Sequence, residues 1–240
     1  MRIGVIGCGT IASATVKGIA GDGHEITVSE RSARRAAELS ETYDNVRVSD
    51  NQEVIDSSDV LFLGLMAEVA RGILSPLRFR EDQRVITFMA GASLEEADVM
   101  VRPARAAAIM MPFPGIAQGG TPIMMYGDTE LVTELFGDRN SIFPLQSADE
   151  MAAYLCAQAV LSPVASMVAD AADWLGERVS DTAQGEAFLR MLVASNLSAM
   201  ECKSLIEALN APGGYNQKLR LHIEAQGMGA ALKDGLTRML

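Results

Sequence analysis

The stretch Arg2-Ile3-Gly4-Val5-Ile6-Gly7-Cys8-Gly9-Thr10-Ile11-Ala12 decides how the fold is read. Ile3, Val5 and Ile6 make a short apolar run with the character of a buried strand, and the run passes straight into a glycine turn. Gly7 supplies the tight turn and Gly9 a backbone bare enough for a pyrophosphate to approach. Ala12 fills the third place of the G-x-G-x-x-G/A pattern, small enough for helix and sheet to pack closely. The helix that follows, opening at Thr10 and Ile11, is expected to turn unpaired N–H groups and the positive end of its dipole toward phosphates. A glycine-rich turn alone is a weak signal. One that begins at residue 3 and leads into a strand–helix–strand unit points to dinucleotide binding.

Outward from this turn, strand and helix patterns alternate over the first ~145 residues, the mark of an α/β domain with a mostly parallel sheet. Further strands are expected at 25–28, 46–48, 60–63, 85–88, 106–111, 122–126 and 142–145. The run Val60-Leu61-Phe62-Leu63 is apolar throughout and therefore central. Helices are expected at 11–20, from Ser32 as N-cap through Leu39, at 51–57, from Ser93 as N-cap, and at 129–136. From Glu150 onward the apolar residues recur at helical spacing. Tyr154, Ala157, Val160, Leu161, Val164, Val168 and Ala171 form one stripe, interrupted only by Pro163; Leu189, Leu192, Val193, Leu197 and Met200 form another, continued by Leu205, Ile206 and Leu209. The fold class is thus α/β: a Rossmann-type doubly wound parallel sheet over residues 1–147, followed by an all-helical dimerisation and substrate domain over 148–240. A helical unit of only ~90 residues seldom buries such wide apolar faces alone, so a second copy of the chain is expected against it. Trp174, the only tryptophan, is expected in core or interface.

Composition narrows the function. The chain has 240 residues, 49% of them hydrophobic and 21% charged, which gives ample core and excludes disorder. A formal net charge of −11 disfavours nucleic acid and anionic membrane as partners, leaving a small molecule as the expected substrate. Phosphates of an anionic cofactor must then be held by local dipoles and a few placed cations. Cys8, Cys156 and Cys202 are widely spread, which argues for a reducing compartment and against a disulfide framework or zinc site. No signal-peptide pattern precedes the first strand and no apolar stretch is expected to reach membrane-spanning length, so a cytoplasmic protein is expected. His24 and His222 share no motif, and neither clustered acids with ligand spacing nor a G-x-S-x-G elbow appears, so no metal is expected.

The end of the second strand selects between cofactors: an acidic residue there accepts the ribose hydroxyls of NAD, and an arginine nearby pairs with the 2′-phosphate of NADP. This chain has both, in Ser29-Glu30-Arg31-Ser32 followed by Arg34 and Arg35. Glu30 repels a 2′-phosphate if it points at the ribose; Arg31 with Ser29 and Ser32 makes a phosphate clamp if it points away. Arg35 is read as a residue of a solvated helix face. On residue chemistry NADP is favoured, with NAD as the alternative.

Taken together, these segments resemble the pyrroline-5-carboxylate reductase family over nearly the whole chain. The opening Met1–Ala12 is similar to that family's start, and Val28-Ser29-Glu30-Arg31-Ser32 to its Val-Ser-x-Arg-Ser segment. Ser57–Leu63 matches the stretch entering the fourth strand, Ala90-Gly91-Ala92-Ser93-Leu94 the Ala-Gly-Val-Ser-Leu segment, and Met111-Pro112 with Gly119 the Met-Pro-Asn loop. Ala211-Pro212-Gly213-Gly214 resembles the Ser-Pro-Gly-Gly-Thr-Thr motif. The resemblance implies an NADPH-linked, sometimes NADH-linked, reductase of a cyclic imine, built from a Rossmann domain and a helical domain that interlocks with its twin. It implies that nicotinamide lies at the carboxyl ends of the strands, where Leu65, Met66, Ala90 and Gly91 fall, with substrate held against the partner's helical domain.

The departures concern the pocket. Phe113 stands where the family has Asn after Met-Pro, Ile109 where it has Arg, and Met66-Ala67 where it has Lys-Pro. Its Gly-Ser-Gly-Pro-Ala stretch is reduced to Leu161-Ser162-Pro163-Val164-Ala165, and its two threonines after Pro-Gly-Gly are Tyr215 and Asn216. The cofactor half is kept while the pocket is rewritten, which fits a reductase of changed substrate. Tyr215 is the expected proton donor or polarising group, with Asn216 and Ser162 hydrogen-bonding the substrate; the competing reading of Tyr215 is a helix-packing tyrosine. Two functional alternatives stay open: reduction of a small keto or aldehyde acid, and nucleotide binding without turnover in a regulatory protein.

Overall fold

The apolar runs become strands. In the computed structural model, which describes residues 1–240, the strands are β1 (Arg2–Ile6), β2 (Glu25–Ser29), β3 (Val46–Ser49), β4 (Val60–Leu63), β5 (Arg84–Thr87), β6 (Arg105–Met111), β7 (Pro122–Gly127) and β8 (Ser141–Pro144). They form one sheet in the order β3-β2-β1-β4-β5-β6-β7-β8. The first six are mutually parallel; β7 runs antiparallel to β6, with Ile109 opposite Tyr126, and β8 runs parallel to β7. The expected parallel sheet therefore carries a reversed two-strand edge. The cause is the connection 112–121: it holds only a 3₁₀ turn at Pro114–Ala117, whereas a parallel return needs a crossover of a dozen or more residues.

Helices cover both faces, because successive strand residues point to opposite sides. Ile3, Val5, Val28, Val60, Phe62 and Ile86 pack against α1 (Thr10–Ile19), α2 (Ala33–Thr42) and α6 (Thr129–Phe136). Ile6, Leu61, Leu63 and Val85 pack against α3 (Asn51–Asp56), α4 (Ala67–Leu74) and α5 (Leu94–Val101). Phe62 is the hub of the first layer, fully buried with ring centroids 5.5 Å from Phe88 and 5.9 Å from Phe136. The sheet is doubly wound as expected.

Local chemistry sets the helix starts. Asp50 accepts from Gln52 and Glu53 N–H ahead of α3, and Ser93 forms a reciprocal capping box with Glu96 ahead of α5, the role expected of it. Ser32 does not cap α2: it sits at φ +68° in the left-handed region, its hydroxyl making no capping bond. Helix α4 was not anticipated. It follows Met66, which has no capping side chain, and its short run Ala-Glu-Val-Ala-Arg-Gly-Ile-Leu carries no start signal.

The chain divides into two compact units, Met1–Met151 and Ala152–Leu240. Helix α7 (Ala148–Ala157) crosses that division; the second unit continues with a 3₁₀ turn at Gln158–Val160, α8 (Leu161–Gly176), α9 (Thr182–Ala199), α10 (Cys202–Ala208), α11 (Tyr215–Ala225) and α12 (Met228–Met239). Pro163 does not interrupt its stripe, because it falls in the first turn of α8, where a missing N–H costs no helical bond. Of residues 152–240 only Leu205 is buried. Trp174 is not core: it is 61% exposed, with the Arg178 guanidinium 4.0 Å from its ring centroid. The reading that no apolar stretch reaches membrane-spanning length is also corrected. The helical stretch Ala148–Gly176 has 29 residues and contains an 18-residue window of mean hydropathy 1.5, long and apolar enough by length and composition to cross a bilayer. Gln158, Ser162 and Ser166 break up every short apolar run within it, but not its average.

Candidate functional site

The sheet order puts its topological reversal at the carboxyl ends of β1 and β4. From β1 the chain winds outward to β2 on one side, while β4 lies on the other, and open α/β sheets bind ligands at such a reversal. Three small residues meet there. Gly7 has φ +90°, and a side chain on it would stand 2.6 Å from the Gly64 carbonyl oxygen. Gly64, whose N–H donates to Ile6 O at 2.9 Å, leaves equally little space: a Cβ there would lie 2.3 Å from Gly7 O and 2.7 Å from Ala12 Cβ. The turn, α1 and the end of β4 thus touch through backbone and one methyl group.

Gly9 differs from both. It is extended, at φ −72° and ψ −174°, and beyond its two chain neighbours nothing lies within 4 Å of where its Cβ would stand. It precedes α1, whose N-terminus has no side-chain cap. A bare backbone beside an uncapped helix start suits a diphosphate: the N–H groups lack partners and the dipole favours negative charge. Cys8 turns inward, fully buried with Sγ 3.6 Å from Ser13 Oγ, and burial pushes its thiol pKa up, so no side chain from the turn occupies the open face.

The segment after β2 lies beside this turn and differs from expectation at Ser29. Ser29 is not a phosphate ligand: it is fully buried, and its Oγ accepts the Gly7 N–H at 2.9 Å, because a buried N–H needs an acceptor. Arg35 is exposed on α2 as expected, and its Nη2 donates to Thr10 Oγ1 at 3.1 Å, reaching the first residue of α1. Arg34 pairs with Glu38 on the outer face of α2. Glu30, Arg31 and Ser32 are exposed, and Arg31 makes neither an ion pair nor a side-chain hydrogen bond. Past β4, Leu65 packs beside Gly7 while Met66 is 67% exposed; past β5, Ala90 and Gly91 (φ +83°) are exposed in the turn before Ser93.

The proposed cofactor residues therefore lie at the carboxyl ends of β1, β2, β4 and β5. Gly64 was missed, although a small residue closing an all-apolar strand was a signal for it. The proposed substrate residues lie in the second unit, with no hydrogen bond joining them. Ser162 is the second residue of α8, and Tyr215 and Asn216 open α11. Tyr215 is 94% exposed, which disposes of helix packing within the chain. The turn before it is held by side chains. Gly213, at φ +75°, donates its N–H to Gln217 Oε1 at 2.9 Å, and Arg220 Nη2 donates to Asn210 Oδ1 at 2.8 Å.

Comparison with known proteins agrees with this geometry. Residues 2–91 match the family model described as NADP oxidoreductase coenzyme F420-dependent. No curated protein matches the sequence. Pyrroline-5-carboxylate reductase from Streptococcus pyogenes superposes with a TM-score of 0.84 at 24% identity, covering 100% of this chain and 96% of that one. The pyrroline carboxylate reductase of Plasmodium falciparum, solved with NADP bound, gives 0.83 at 14% identity, with 100% and 95% covered. An imine reductase from Pseudomonas sp. gives 0.61 at 17%, with 99% and 87% covered. From its first strand to its last helix, this chain has the fold of the pyrroline-5-carboxylate reductases.

Proposed function

We propose that the protein is an NAD(P)H-dependent reductase that transfers hydride to the C=N bond of a small cyclic imine acid, with NADP(H) as preferred cofactor. One observation carries the reading: a fold similar end to end to pyrroline-5-carboxylate reductases has, at the reversal point of its sheet, a turn left bare at Gly9. The nicotinamide cofactor supplies the hydride when bound. Gly7, Gly9 and the first N–H groups of α1 hold its diphosphate, and the unpaired Arg31 with Ser32 takes the 2′-phosphate. Leu65, Met66, Ala90 and Gly91 border the nicotinamide end.

An iminium is already electrophilic, so the protein need only orient it, exclude water and deliver a proton. Tyr215 is the proposed donor, with Asn216 and Ser162 as substrate ligands. An exposed tyrosine cannot exclude water by itself. A second copy of the chain covers the helical unit in this reading, since Leu161, Trp174, Phe188, Met191 and Leu219 are each more than half exposed there. Phe113 and Tyr215, standing where the family has Asn and Thr, favour an altered imine substrate.

The test is nucleotide oxidation with pyrroline-5-carboxylate, other cyclic imines and small keto acids, each with NADPH and NADH. Turnover with a cyclic imine supports the proposal, and turnover confined to keto acids replaces it with carbonyl reduction. Nucleotide binding without turnover on any of these replaces it with a regulatory role. Tyr215→Phe is expected to lower kcat by roughly a hundredfold, the usual worth of a positioned acid, with nucleotide affinity unchanged.

A further inference from the structure

We infer that Ser29 is a positioning residue for the nucleotide: its buried hydroxyl fixes the diphosphate turn from the strand that carries the ribose-selecting segment. The inference rests on reading that turn as a nucleotide site. Ser29 closes β2 and is fully shielded from water, and its Oγ accepts the Gly7 N–H at 2.9 Å across 22 positions of sequence. Gly7 is the turn residue held at φ +90°, and the structure offers its N–H no other acceptor. The residues directly after Ser29 are Glu30, Arg31 and Ser32, so the segment expected to read the ribose is anchored on the turn expected to hold the diphosphate. A second tie, Arg35 Nη2 to Thr10 Oγ1 at 3.1 Å, spans the same two segments at the surface.

Without the Ser29 hydroxyl, Gly7 keeps a buried N–H with no partner, which the turn relieves only by moving. The diphosphate is common to both nucleotides, whereas the 2′-phosphate belongs to one. A defect at Ser29 therefore acts on NADH and NADPH alike, and a defect at Arg31 acts on NADPH.

The experiment compares wild type, Ser29→Ala and Ser29→Thr by fluorescence titration with NADH and NADPH, and by amide hydrogen exchange of Gly7 without nucleotide. Ser29→Ala is expected to weaken both nucleotides to the same extent, by roughly tenfold, and to speed exchange at Gly7. Ser29→Thr, which keeps the hydroxyl, restores both. A folded Ser29→Ala with wild-type affinities, or with a loss confined to NADPH, overturns the inference. Should the alanine variant not fold, Ser29→Cys decides, since it keeps the shape but is a weak acceptor: equal weakening supports the inference and unchanged affinities overturn it. Wild-type protein that binds neither nucleotide defeats the functional reading itself, a result distinct from wild-type binding that Ser29→Ala leaves untouched.

Discussion

A methyl group added at Gly9 should separate nucleotide binding from folding. Gly9 sits at φ −72° and ψ −174°, a conformation open to alanine, and beyond its chain neighbours Cys8 and Thr10 no atom stands within 4 Å of the added carbon. Two small effects on stability oppose each other. Alanine narrows the unfolded ensemble, worth ~0.4–1 kcal/mol, and is a poorer N-cap than glycine by a similar amount. The net change is expected within about 1 kcal/mol, or about 2–4 °C in Tm for a chain of this size. For the nucleotide the methyl stands where the diphosphate must approach, and such overpacking costs ~1–3 kcal/mol, about five- to 150-fold in Kd. Thermal melting without nucleotide and fluorescence titration with NADPH read the two quantities separately. Gly64→Ala is the counterpart: its methyl would sit 2.3 Å from Gly7 O, so this variant should lose stability before any nucleotide is added. A Gly9→Ala protein that melts like wild type and binds NADPH just as tightly would refute the placement of the diphosphate.

Other expectations follow from the same structure. Arg31→Ala should raise the Kd for NADPH by roughly tenfold or more through loss of a charge-assisted contact, with little change for NADH; equal effects on both would remove the 2′-phosphate assignment. Phe62→Ala deletes the aromatic hub of one core layer and should cost ~3–5 kcal/mol in chemical denaturation. Burial, followed by the nearby amino terminus, holds the His24 pKa below its ordinary value, so the folded protein resists protonating it. Stability should therefore fall as pH drops through about 6.5, the unfolded value, and level off below the depressed folded one. Denaturation curves of His24→Gln across that range should show a shallower fall, and an unchanged slope would rule His24 out as its source.

Whatever depended on neighbours in sequence could be read from the chain; whatever depended on distant partners could not. The apolar run Val60–Leu63 announced a central strand, and Ser93 with Glu96 announced a capped helix, because both signals are local. The division of labour among Gly7, Gly9 and Ala12 could also be read, since each task demands a missing or minimal side chain. Ser29 could not: a strand-end serine looks the same whether it faces phosphate or a backbone N–H 22 positions away. Arg35 is exposed on α2 as expected, but its bond to Thr10, 25 positions back, could not be read for the same reason. The reversal of β7 escaped because alternation of side chains is the same in either strand direction. In the second half, helical spacing at Leu189, Leu192 and Val193 gave the helices correctly. It could not tell whether their apolar faces meet within one chain, and Trp174 shows that they need not.

That a single leucine of the second unit escapes water has a thermodynamic consequence. Ordering 89 residues opposes folding by ~1–2 kcal/mol each, and one chain's buried hydrocarbon there offsets little of that. On the proposed reading that a second copy covers this unit, the persistence of these helices is a matter of mass action, as in proteins whose protomers fold only on meeting. Dilution, rather than heat or denaturant, should be the gentlest way to unravel them, while the sheet unit, with its own two-layered interior, stays intact.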